Sequence, residues 1–179
     1  MVSAPIPPLS SSGVFSVAHS ILINAPREKV WDVLLDFKSY KEWNPFGRGQ
    51  TIVSATGVTL ADQTPAAGDL MLISPINIPP TMGEPRFMGS LSITVLVMSI
   101  DHENYRAAWV SSSRLPKWVL FVERWQSLTI ERGQTKYESI EVFHGILAYI
   151  CSFFLGKNLN LGIKAMAEGL RSRCEGAGV

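Results

Sequence analysis

Charge is scarce in this 179-residue chain. Charged residues make up 17% of it, against about a quarter in ordinary domains, and the formal net charge is only +1. A nucleic-acid binder needs a basic face to displace counterions, so no nucleic-acid partner is expected. Cysteine is rarer still. Cys151 and Cys174 stand far apart without metal-ligand spacing, which fits reduced, buried thiols and no metal site. The three histidines, His19, His102 and His144, are scattered. There is no nucleotide-binding loop, nucleophile elbow or internal repeat, and no cofactor is expected. Long apolar runs are missing too. The longest, ILAYICSFFL at 146–155, is far too short to cross a bilayer, so no transmembrane segment is expected. The opening MVSAPIPPLSSSG lacks the basic and apolar regions of a signal peptide. It reads as a flexible leader over 1–13, and the expected location is cytoplasmic.

What the chain has in surplus is apolar residues, 46% of the total. That excess fits a large core, an internal apolar cavity or a buried interface such as a homodimer contact. The length fits one domain, 14–176, with ample material for a core. Phe15, Val17, His19, Ile21 and Ile23 alternate, which predicts a first strand with that face inward. Asn24-Ala25-Pro26 stops it. A helix follows at once, with Pro26 in its first turn and Val30, Trp31, Leu34 and Leu35 on one face. A second short helical piece around Ser39–Trp43 ends at Asn44-Pro45, since the residue before proline avoids the helical region.

Strands are then predicted at 50–58, 68–73, 88–100, 105–111, 118–130 and 135–143. The proline-rich stretch 74–85 reads as an irregular loop or strand edge, and as a lid whose Met82 and neighbouring Met88 suit an adaptable apolar entrance. Helical sequence closes the chain from about 147 to 175. Its apolar stripe is Ile163, Met166, Ala167, Leu170 and Cys174, with a break expected near Gly156. A meander of antiparallel strands curls as it twists, and the long helix must bury its stripe against the open side. The class is α+β, with a concave apolar space between helix and sheet where small molecules bind.

Three stretches carry a family resemblance. They are APREKVWDVLLDFKSYKEWNPF, TKYESIEVFHG with its Glu141-x-Phe143-x-Gly145 pattern, and GIKAMAEGLRSRCE. In this order they resemble the START-like, Bet v 1-like (SRPBCC) superfamily, in its polyketide cyclase/dehydrase and lipid-transport branch, over roughly 15–175. The resemblance implies a helix-grip fold: a curved seven-stranded antiparallel sheet around a long C-terminal helix, two short helices after strand one, and a ligand cavity. It leaves the function open, because this fold hosts transport, sensing and catalysis alike. One departure stands out. Where this branch often carries a histidine and an aromatic two apart, the matching positions are Glu123 and Trp125.

Several residues are candidates for chemistry. Glu141 is in phase with Phe143, and Glu123 with Phe121 and Trp125; if those aromatics face inward, so do both carboxylates. A buried carboxylate has a raised pKa suited to general acid/base work. The competing role is structural, a pairing with Arg124, Arg106 or Arg86, or a bond holding the last helix. His19 shares an apolar face and titrates near neutrality, although a core role is the commoner one. Trp109, Trp125, Phe143, Tyr137 and Tyr105 would form an aromatic wall, or else ordinary core. Trp43 and Asn44 would sit at the cavity mouth, where Asn44 could orient a ligand or simply serve Pro45. His102 is expected to be solvated in its turn, and His144 to point away from the pocket.

The expectation drawn from all this is a hydrophobic small-molecule-binding protein. It would act as a cofactor-free cyclase- or isomerase-like enzyme on a polyketide or terpenoid-type intermediate of secondary metabolism, by shape and acid/base catalysis with Glu123 or His19 moving the proton, while Glu141 is read first as structural. A non-catalytic carrier or sensor of a lipid or other apolar ligand is the alternative, and a partner-binding module a third.

Overall fold

The computed structural model describes residues 6–85, 89–113 and 115–176. Seven antiparallel strands form one sheet: β1 Phe15–Ile23, β2 Gln50–Val53, β3 Leu70–Asn77, β4 Ser90–Asp101, β5 Arg106–Ser111, β6 Phe121–Glu131 and β7 Gln134–His144. Their spatial order is β1-β7-β6-β5-β4-β3-β2. The first strand pairs with the last, so the chain must cross from one sheet edge to the other between β1 and β2. Helix α1 (Arg27–Leu35), a 3-10 turn (Phe37–Ser39) and helix α2 (Tyr40–Trp43) make that crossing. Helix α3, Leu147–Glu175, lies across the concave face.

The short helices are anchors. Val30, Trp31 and Leu34 of α1 are buried, as their spacing demands. The indole N–H of Trp31 donates to Nδ1 of His102 at 3.1 Å, so His102 is exposed but engaged rather than free in its turn. The 3-10 turn and α2 bury Phe37, Tyr40 and Trp43, and the Tyr40 hydroxyl donates to the Leu34 carbonyl at 2.6 Å.

Two bulges bend the sheet, one between Ile73 and Ile76 and one between Val97 and Ser99. Pro75 sits in the first. A proline there gives up no ladder hydrogen bond, and its carbonyl accepts from the Arg48 N–H at 2.9 Å. The proline-rich stretch therefore begins as strand: β3 runs on to Asn77 instead of stopping at Ile73.

Helix α3 buries the expected stripe of Ile163, Met166, Ala167, Leu170 and Cys174. Gly156 does not break it; the helix is continuous from Leu147 to Glu175. The start of α3 is pinned. Gly145, at φ 91°, turns the chain out of β7, and a Cβ there would meet the Val119 carbonyl at 2.6 Å. The N–H groups of Ile146 and Leu147 then donate to the carbonyls of Trp118 and Val119. At the far end Arg173 pairs with Glu42 at 2.8 Å, and Glu175 accepts the Asn24 N–H at 2.7 Å. Among the described residues no helix is long and apolar enough to cross a membrane.

Candidate functional site

A cavity of about 520 Å³ opens between the concave face and α3. Ile73, Ile76, Val95, Trp109, Val122 and Phe143 line it from the strands, and Cys151, Leu155, Leu159 and Met166 line it from α3. The helical residues recur at three- and four-residue intervals and extend the buried stripe toward the helix start. Trp109 and Phe143 are thus in the wall. The Phe143 ring stacks on Phe15 with centroids 4.3 Å apart.

Eight polar side chains interrupt this apolar lining: Thr94 and Ser111, Ser112 and Ser113 from β4, β5 and the chain just after it, and Asn44, Gln50, Arg124 and Glu141. Asn44 follows α2. Its Oδ1 accepts the backbone N–H groups of Phe46 and Gly47 at 3.0 and 3.3 Å, fixing the turn through Pro45. Its Nδ2 has no partner. The turn thus uses only Oδ1 of this side chain and leaves Nδ2 unpaired. Gln50 opens β2 and points inward with Ile52.

Arg124 and Glu141 face each other in the β6–β7 register. The Arg124 guanidinium donates to the Met166 sulfur at 3.2 Å and lies 5.8 Å from the Phe46 ring centre. Burial pushes the Glu141 carboxyl above the usual carboxylate range, and the nearby Arg124 charge offsets part of that rise. Behind this pair, toward Tyr137, the inner face stays polar. The Tyr137 hydroxyl donates to Oε1 of Gln126 at 2.5 Å, and Ser139 lies opposite Gln126.

The other expected residues lie elsewhere. Glu123 and Trp125 point to the convex face, out of phase with Arg124 and Glu141. Trp125 is nonetheless 2% exposed; it stands opposite Ala108 and Ile140, and its indole N–H donates to Glu123 at 2.5 Å. The expectation that both carboxylates turn inward together is corrected by the register. The Arg132–Gly133 turn, with positive φ at both residues, pairs Glu131 with Gln134. Counting back from there puts Arg124 opposite Glu141, so Glu123 and Glu141 must lie on opposite faces. That count needs only the sequence and the turn type, and it would have found Arg124.

His19 is half-buried on the inner face of β1, opposite Ser139, away from the cavity lining. Tyr137 is buried below the cavity. Tyr105 packs against α1: its hydroxyl donates to Glu28, its ring meets Trp31 edge-on, and the Arg27 guanidinium lies 4.0 Å above it. Trp43 is core, with its N–H bonded to Ser39 and its ring against Tyr40. From the proline-rich stretch, Ile76 and Ile78 reach the cavity, while Met82 takes a contact from Arg48. Met88 and Arg86 lie outside the described residues. His144 alternates with Phe143 and sits near Phe121. Among the described residues no three His, Cys, Asp or Glu side chains gather as a metal site would require.

A curved seven-stranded sheet gripping a C-terminal helix over a cavity is a helix-grip fold. The model of the family described as polyketide cyclase / dehydrase and lipid transport matches residues 14–69. The chain is 27% identical over 185 residues to an oxopyrrolidines biosynthesis cluster protein O of Penicillium oxalicum, covering 96% of this chain and 91% of that one. In fold it is similar to a START superfamily protein of Mycobacterium smegmatis, with TM-score 0.60, 16% identity and coverage of 90% and 97%. It is also similar to a hypothetical protein of Helicobacter pylori, with TM-score 0.65, 13% identity and coverage of 97% and 98%.

Proposed function

We propose that this protein is a cofactor-free cyclase- or isomerase-like enzyme of secondary metabolism. It would fold a polyketide or terpenoid-type intermediate against its apolar wall and move a proton with Glu141. The observation that carries this reading is a lone carboxyl, held toward its neutral form by burial, on a mainly apolar cavity beside Arg124. A carboxyl with a raised pKa is better able to give a proton to a carbonyl or hydroxyl and take it back, which is general acid/base work. The wall of Trp109 and Phe143 would supply the shape that holds a reactive chain folded. The likeness to a biosynthesis-cluster protein supports the metabolic setting.

Replacing the chromosomal gene with Glu141→Gln is the test. The expected outcome is loss of the cyclised product, with native mass spectrometry of the variant still finding the bound precursor. Normal product levels in that strain would remove Glu141 from catalysis and leave the carrier or sensor reading. In that reading the Glu141–Arg124 juxtaposition only tunes the polarity of the cavity. Glu123→Gln serves as the comparison, since its carboxylate faces the opposite side of the sheet.

The homodimer contact suggested by the apolar surplus has a candidate location. Ile146, Tyr149, Ile150, Phe153 and Phe154 stand exposed on the first turns of α3, close in sequence to the cavity residues Cys151 and Leu155.

A further inference from the structure

Three polar side chains of the cavity are more than nine-tenths buried: Asn44 at 0% exposure, Gln50 at 6% and Arg124 at 7%. Each keeps one side-chain atom without a hydrogen-bond partner, Nδ2 of Asn44, Oε1 of Gln50 and Nε of Arg124. Oε2 of Glu141 is a fourth. Buried polar atoms in folded proteins nearly always have partners, because leaving one unpaired forfeits its hydration without replacement. Four on the lining of one cavity describe the ligand that completes them.

Their chemistry is lopsided. Arg124 brings a full positive charge, and among the described residues no carboxylate lies within salt-bridge distance of it. Its guanidinium donates to a thioether, a weak acceptor, with the Tyr137 hydroxyl close by, and its Nε has no partner. Glu141 does not neutralise it by contact, and burial favours the protonated carboxyl, which is itself a donor. This end of the cavity is therefore cationic and rich in donors, while Ile73, Ile76, Val95, Trp109 and Phe143 make much of the rest apolar.

We propose that the cavity takes an apolar molecule carrying one acidic oxygen head, a carboxylate or the enolate of a 1,3-dicarbonyl, seated on Arg124 beside Glu141. Both heads are planar and spread one negative charge over two oxygens, the pattern that a guanidinium fork matches. Asn44 Nδ2 and Gln50 Oε1 bind a further carbonyl or hydroxyl along the chain. This assignment rests on the cavity being the ligand site.

The test uses the full chain and two matched pairs of probes, titrated by tryptophan fluorescence at pH 7. One pair is dodecanoate and its methyl ester; the other is 2-acetylcyclohexane-1,3-dione and its enol methyl ether. Each acid is expected to bind roughly tenfold or more tighter than its neutral partner, since a charge-assisted bond is worth about 1.5–3 kcal/mol. In Arg124→Met that preference should vanish while the neutral probes still bind. A preference in only one pair supports the proposal and identifies the head. Equal affinities of acid and neutral probe in both pairs of the wild-type protein overturn it, whether or not the variant folds. If none of the four probes binds, the cavity is not a ligand site, and the head assignment falls with it.

Discussion

At Glu141 burial and charge pull in opposite directions, and burial is the larger influence. A carboxyl whose folded-state pKa is raised stabilises the fold most below its unfolded pKa. That contribution is lost as pH rises through the folded-state value, because the charged form must then be buried. Glu141→Gln removes this loss. Its thermal midpoint should rise relative to wild type as pH is taken from about 4 toward 8, measured by differential scanning calorimetry. A constant offset across that range would show that the carboxyl is not desolvated. Trp109 lies in the cavity wall, so Trp109→Ala should weaken binding of a flat apolar probe by roughly tenfold or more, as loss of an aromatic contact implies. Unchanged affinity in a fluorescence titration would take Trp109 out of the binding surface.

Helix α3 reaches the sheet's short helices through two glycines spaced seven residues apart, two helical turns. A Cβ at Gly162 would strike the Phe46 ring, and one at Gly169 would strike the Trp43 carbonyl oxygen. The Trp43–Phe46 corner thus lies directly on the helix. That contact brings Asn44 and Phe46 into the cavity lining. The carbonyl cannot rotate away as a side chain would, so Gly169→Ala should destabilise the fold. The overpacking cost is about 1–3 kcal/mol, and the gain in helix propensity, roughly 1 kcal/mol, offsets only part. Gly156→Ala should do the reverse, because its Cβ would meet only ordinary contacts with Ser152 and Phe15. Urea midpoints for the two variants should move in opposite directions.

At the scale of the molecule, the cavity and the exposed apolar strip lie toward the same end of α3. Phe153 is 84% exposed and Phe154 71%, with Tyr149, Ile150 and Trp118 also open. A contiguous apolar surface of this kind marks an interaction site. If two copies meet there, Phe153→Glu should shift the mass seen by light scattering from dimer to monomer without lowering the melting temperature. A wild-type protein that stays monomeric at all concentrations would remove the homodimer. The strip was visible in the sequence only as part of the ILAYICSFFL run. Its exposure was not, because nothing in that run tells which residues a partner layer covers.

The sequence by itself determined the element order and the apolar stripe of α3, and its family resemblance implied the helix-grip architecture. These follow from periodicity, from proline and glycine punctuation, and from motifs read along the chain. It also marked Glu141, Asn44, Trp109 and Phe143, each of which lies on the cavity. Tertiary structure decided the rest. Strand parity turned Glu123 and Trp125 outward and brought Arg124 in, because a period of two leaves no middle choice once the register is set. Packing gave Tyr105, Trp43 and Tyr137 to the core around α1, α2 and β6. Gln50 and Met166 joined the cavity only because the sheet curls to bring β2, at its far edge, and α3 around one space. Aromatic character says that a side chain will be buried; only the packed layers say on which side.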